Sequence, residues 1–148
     1  IRTDGSLECW GIDDGSNLDY GQVTNTPNGS FVDISAGYMH TCGIKADGEV
    51  ECWGRNYEGQ SSPPNGSFID ISAGGNHTCG IRTNGTVECW GYDNHGQSSP
   101  PYGSFVNISS GYQHTCGIEM DRTVECWGDN DFGQIYFDIK WTILFFKF

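Results

Sequence analysis

The chain has 148 residues, the length of one domain and enough to bury a core. Its formal net charge is −12 at pH 7, which excludes a nucleic-acid binder that works through a basic face. Gly is abundant at 22 residues, but aromatics reach 14% and Cys numbers 7, a mixture that fits turn-rich β structure and not a disordered tract.

Residues 1–11 read as the second half of a hairpin ending Cys9-Trp10-Gly11. The partner of Cys9 would fall two positions before Ile1, so the sequence reads as starting inside a hairpin, as a processed or partial chain would. It shows no signal-peptide pattern and no apolar run of the ~20 residues a spanning helix needs, so a membrane role is not expected. The insertion up to Gln22 carries Asp13, Asp14, Asn17 and Asp19, hard oxygen ligands of the kind that hold Ca²⁺. Their spacing does not match an EF-hand loop, and a solvated acidic loop is the preferred reading.

From Phe31 the pattern becomes regular. Phe31-Val-Asp-Ile-Ser-Ala-Gly37, Phe68-Ile-Asp-Ile-Ser-Ala-Gly74 and Phe105-Val-Asn-Ile-Ser-Ser-Gly111 are predicted strands. Each leads into His-Thr-Cys, a turn at Asp or Asn, a second run ending Cys-Trp-Gly, and a Gly-Gln turn at Gly59-Gln60, Gly96-Gln97 or Gly133-Gln134. Cys52, Cys89 and Cys126 recur every 37 residues, and a fixed period in this range means stacked units that cannot bury their faces alone. The expected organisation is tandem repeats over 1–134, a half repeat at 1–22 and full repeats at 31–60, 68–97 and 105–134, followed by a divergent tail at 135–148.

Each turn fits a three-residue loop ending in left-handed Gly48 or Gly85; Arg122 stands at that place in the last repeat and must take φ > 0 or change the turn. Counting down the ladder from the loop sets Cys42 opposite Cys52, Cys79 opposite Cys89 and Cys116 opposite Cys126, as non-hydrogen-bonded pairs with Cα atoms about 4.5 Å apart. That separation suits a disulfide, so these six are predicted to form three hairpin staples, each adding about 2–3 kcal/mol. Zinc binding is the weaker reading, since zinc sites favour Cys spaced by two to four residues. Alternation puts His40, Cys42, Ile44, Val50 and Cys52 on one face and Thr41, Gly43, Glu51 and Trp53 on the other, with room beside Gly43 for the indole of Trp53. Occupied on both faces, the sheet suits a propeller blade. The linkers Ser61-Ser-Pro-Pro-Asn-Gly-Ser67 and Ser98-Ser-Pro-Pro-Tyr-Gly-Ser104 must run over the surface. In the tail, Tyr136-Phe-Asp-Ile139 is similar to the opening strand of a repeat, and the apolar run to Phe148 needs a cover or a pairing partner.

The pattern Gly-x-x-His-Thr-Cys-Gly-Ile, then Asp/Asn-Gly, Val-Glu-Cys-Trp-Gly and Asn-x-x-Gly-Gln, resembles the regulator of chromosome condensation repeat. In style it is similar to the short-repeat bacterial and extracellular variants, such as the propeller-type β-lactamase inhibitor. The resemblance implies a β-propeller, usually seven-bladed, that binds through loops on its faces. The fold expected here is all-β: an array of about four short antiparallel blades, a partial or oligomer-completed propeller with one hairpin disulfide per repeat. Nucleotide exchange and chromatin binding are not carried over, because the chain is acidic and disulfides do not suit a reducing nuclear setting.

His40, His77 and His114 hold one repeat position and are expected to be structural, spread around the array; His95 lies in a turn without a partner. Glu8, Glu51, Glu88 and Glu125 likewise repeat and read as edge carboxylates, not as a hydrolytic pair. No nucleophile-His-Asp pattern and no phosphate-cradling loop is present. Asn28, Asn65, Asn76, Asn84 and Asn107 open N-glycosylation sequons, of which the first four are the expected sites and Asn107 lies within a strand. The function expected is a non-enzymatic, secreted or cell-surface glycoprotein module. Its partners would be other protein chains, copies of itself head to tail among them, with no cofactor. The alternative is a ligand-binding or inhibitory propeller using Tyr38, Tyr57, Tyr92, Tyr102 and Tyr112.

Overall fold

The computed structural model describes residues 1–135. The tail from Tyr136 onward, and with it the strand expected at Tyr136-Phe-Asp-Ile139, lies outside the described residues. Among the described residues nine strands form three separate sheets and no helix occurs. The first sheet holds β1 (Phe31–Ala36), β2 (His40–Lys45) and β3 (Val50–Gly54). The second holds β4 (Phe68–Ala73), β5 (His77–Arg82) and β6 (Val87–Gly91), and the third β7 (Phe105–Ser110), β8 (His114–Glu119) and β9 (Val124–Gly128). Each sheet is an antiparallel meander in chain order, with the middle strand paired on both sides.

The register is the one the turn imposes. Lys45 N–H donates to the Glu49 carbonyl and Gly48 N–H to the Lys45 carbonyl, closing a three-residue loop with Gly48 at φ 87°. One step down the alternation from that bonded pair come Ile44 and Val50, then Gly43 and Glu51, then, on the third step, Cys42 opposite Cys52. The same count holds in the other two hairpins. In the last one Arg122 takes the left-handed conformation itself, at φ 74°, and the turn keeps its shape.

The sheets stack through what the two faces carry. Cys42 and Ile44, with Val50 and Cys52 beside them, pack on Phe68 and Ile71 of the next repeat; Cys79 and Ile81 pack on Phe105 and Ile108. The space beside the hairpin glycine is filled differently from the expectation. A Cβ on Gly43 would stand 2.7 Å from the Phe31 ring, and one on Gly80 2.6 Å from the Phe68 ring, so the phenylalanine of the first strand, not the indole, lies over the glycine. The tryptophan packs edge-on against that phenylalanine, with ring centroids 6.3, 5.8 and 5.9 Å apart in the three repeats. The reason is the bulge at the start of the first strand, between Phe31 and Asp33 and its equivalents, which re-aims the aromatic side chain across the sheet.

Residues 1–11 form no ladder, yet they sit where the end of a preceding hairpin would. Phe31 N–H donates to the Gly5 carbonyl at 2.9 Å, as Phe68 N–H does to Gly48 and Phe105 N–H to Gly85. Each turn tip is thereby tied to the first strand of the following repeat.

Candidate functional site

The six predicted cysteines form the three expected disulfides, with Cα separations of 4.1, 4.0 and 4.0 Å. Cys9 is a free, half-buried thiol on a cleft of about 380 Å³ that also touches Trp10, Ile34 and Thr41. Trp10 is 84% exposed, against 7% for Trp53 and Trp127.

The repeated polar residues prove to be junction residues. The indole N–H of Trp53 donates to the Gln22 carbonyl at 2.9 Å, that of Trp90 to Gln60 at 2.9 Å and that of Trp127 to Gln97 at 3.1 Å. The recurrence of Gly-Gln was visible in the sequence, but its use, a backbone carbonyl of one repeat accepting from the next, was not. The glutamine side chain meanwhile folds back to accept from the backbone N–H two residues earlier, at Tyr20, Glu58, His95 and Phe132. Gln60 and Gln97 are fully buried by this arrangement.

His40 and His77 reach across the junctions in the same way. His40 Nε2 lies 2.8 Å from Thr78 Oγ1, and His77 Nε2 2.8 Å from Thr115 Oγ1. Burial pushes both imidazoles down to about 4, and the next histidine along the stack adds to the effect. The three repeat histidines therefore lie along the stack, His40 and His77 each at one junction between sheets, and do not converge on a ligand. His114 is half-buried, and His95 is exposed beside Tyr92.

The repeated glutamates pair locally. Glu8 meets Arg2 at 2.9 Å, Glu51 meets Lys45 and Glu88 meets Arg82, each across its own hairpin. In the last repeat Glu119 occupies the basic position, and desolvation followed by the hydrogen bond to Glu125 raises its pKa. In the acidic insertion Asp14 accepts from Ser16 N–H, and Asp19 accepts from both Gly15 and Gly21 N–H. Those carboxylates cap turns, and among the described residues no three His, Cys, Asp or Glu side chains gather as a metal site.

Asn28, Asn65 and Asn84 are exposed. Asn84 Oδ1 accepts from both the backbone N–H and the hydroxyl of Thr86, its own sequon threonine, at 3.0 and 2.8 Å. Asn76 is half-buried, with Oδ1 held by Arg55 at 3.0 Å, and its sequon threonine Thr78 is fully buried. Asn107 is exposed on β7, paired with Ile118 in register. Of the loop tyrosines, Tyr38 and Tyr112 come together edge to face at 5.7 Å beside the glycines Gly37, Gly74, Gly75 and Gly111. Tyr57 instead packs on Tyr20 with Arg55 over both rings, while Tyr102 stands in solvent.

Three segments, 31–60, 68–97 and 105–134, match the family model of the regulator of chromosome condensation (RCC1) repeat. The chain belongs to the RCC1-repeat family. The chain is also similar to solved structures. The ectodomain of the Physcomitrella patens receptor kinase CR4 superimposes with a TM-score of 0.73 at 30% identity, over 87% of this chain and 35% of that one. The CRINKLY WD40 ectodomain of the Arabidopsis thaliana receptor kinase ACR4 gives 0.66 at 28% identity, over 84% and 44%. Prp20p of Saccharomyces cerevisiae, a structure reported with its binding to Gsp1p and histones, gives 0.65 at 18% identity, over 83% and 41%, a likeness of fold. This chain thus spans less than half the length of each of these structures. No curated protein matches it in sequence. The three sheets are blades of a β-propeller type, and the chain is an RCC1-repeat module with a disulfide in every full repeat.

Proposed function

We propose that this RCC1-repeat chain is a non-enzymatic, secreted or cell-surface module that contacts other proteins and carries N-linked glycans at Asn28, Asn65, Asn76 and Asn84. The observation that carries the reading is the disulfide in each complete hairpin, because such bonds persist in oxidising compartments and are rare in the cytosol and nucleus. Two receptor-kinase ectodomains among the structural relatives support the same location. Prp20p binds proteins, and that supports protein partners for this fold. Expression through a secretory pathway, followed by peptide mapping, tests the glycan part: glycan mass on Asn28, Asn65 and Asn84 is expected, and bare asparagines at all three would refute it.

Contact with further copies, head to tail, extends the proposal. Trp10 is exposed on one edge, and half-buried His114, on the other, makes among the described residues no cross-repeat hydrogen bond of the kind that His40 and His77 make. Electron microscopy should show rings or filaments, and discrete single particles persisting at high concentration would remove this extension.

A second reading, a ligand-binding propeller, draws on the Tyr38–Tyr112 pair, both more than half exposed over a cluster of glycines. Paired aromatic faces of this kind stack on sugars or anchor a protein partner. Blank results from both a glycan array and a protease-inhibition screen would eliminate it.

A further inference from the structure

The two buried histidines do more than fill the junctions, and around His40 the hydrogen bonds fix which nitrogen carries the proton. Thr78 has a single hydroxyl proton, and it goes to the Gln60 carbonyl at 3.0 Å. The contact between Thr78 Oγ1 and His40 Nε2 is therefore donated by the imidazole, which fixes the proton on Nε2 and leaves Nδ1 as a lone pair. Nδ1 of His40 is buried without a partner, and so is Nδ1 of His77. Each ring lies against backbone that presents no side chain: a Cβ on Gly37 would come within 2.6 Å of the His40 ring and of the Gly74 carbonyl, and one on Gly74 within 2.4 Å of the His77 ring and 2.6 Å of the Gly111 carbonyl. A second proton on either ring would sit on a buried nitrogen that has no acceptor, against glycine backbone.

Few ionisable groups bear on these rings. His77 faces His40 along the stack, and His114 faces His77; both disfavour a positive charge. Asp93 is the one acid with an influence, on His77, and it opposes burial without overcoming it. Glu8 lines the same cleft as His40, but its carboxylate is paired with Arg2. The hairpins, in contrast, are closed independently of these contacts by their own ladders and disulfides.

We propose that the His40–Thr78 and His77–Thr115 contacts make the repeat stack an acid-labile switch: protonation of the two imidazoles opens the junctions between repeats and leaves each disulfide-closed hairpin intact. The direction follows from linkage. With folded values near 4 against an ordinary 6.5, the opened form binds more protons between those limits. Closure is therefore complete above about pH 6.5 and is lost as pH falls toward 4, by roughly a hundredfold per histidine. The inference is independent of where the chain works.

The test is an acid titration of the 148-residue chain, without reductant, from pH 7.5 to 4. Tryptophan emission reports the junctions, because the Trp90 and Trp127 indoles bond across them, and far-ultraviolet circular dichroism reports the strands. The expected result is a red shift of emission, steep with about two protons, while the strand signal holds. His40→Gln and His77→Gln keep an amide donor for the threonine but cannot be charged, so each should make the transition shallower and move it to lower pH. Should either variant fail to fold, imidazole signals of the unmodified chain decide: both rings should stay neutral until emission shifts and then titrate with it. Transitions unchanged by both substitutions, loss of strand signal together with the emission shift, or histidines that titrate with no structural change would each overturn the proposal.

Discussion

At the scale of single residues, the molecule depends on small side chains placed where large ones must pass. Gly80 lies under the Phe68 ring, and a methyl group there would stand 2.6 Å from it, with the Asp70 carbonyl at 3.3 Å. Phe68 is buried and cannot swing aside, so Gly80→Ala should destabilise by about 1–3 kcal/mol, read as a lowered midpoint in urea unfolding. An unchanged midpoint would mean that the ring relocates freely. The sequons differ by the same kind of local detail. Asn84 sits at an exposed tip with its threonine hydroxyl at the surface, whereas Asn76 is clamped by Arg55 and its threonine is buried at a junction. Peptide mapping should find Asn84 more fully modified than Asn76, and the reverse order would show that modification precedes any folding of the second repeat.

At the scale of elements, the hairpin is the unit that sequence reasoning reads well. Its turn chemistry, alternation and cysteine spacing are all local, and together they set the register and hence the disulfides. Replacing the pair as Cys79→Ala with Cys89→Ala should cost about 2–3 kcal/mol from the short closed loop, with the strands retained in circular dichroism. What the hairpin alone does not specify is how it meets the next one. The indole-to-Gln carbonyl bond and the histidine-to-threonine bond join residues about one repeat apart, and their geometry depends on how sheets stack. Periodicity says that such contacts recur, but not which atoms meet. The placing of Phe31 and not Trp53 over Gly43 escaped for a related reason: the bulge that turns the phenylalanine inward leaves no residue-type signature in Phe-Val-Asp-Ile.

At the scale of the whole molecule, three blades stack through apolar faces of cystine, isoleucine and phenylalanine, and each junction between them is pinned by one tryptophan-to-carbonyl bond and one histidine–threonine bond. Candidate chemistry was legible mainly as a negative pattern, since residues recurring once per blade lie at separate junctions. The proposed role, an extracellular interaction module, rests on oxidised hairpin cysteines. The most direct measurement is intact mass of the chain purified under thiol-trapping conditions, before and after reduction, with peptide mapping. The account predicts three disulfides, Cys42–Cys52, Cys79–Cys89 and Cys116–Cys126, with only Cys9 trapped as a thiol or found in a mixed disulfide. Alkylated Cys42 and Cys52 in the unreduced protein would contradict it.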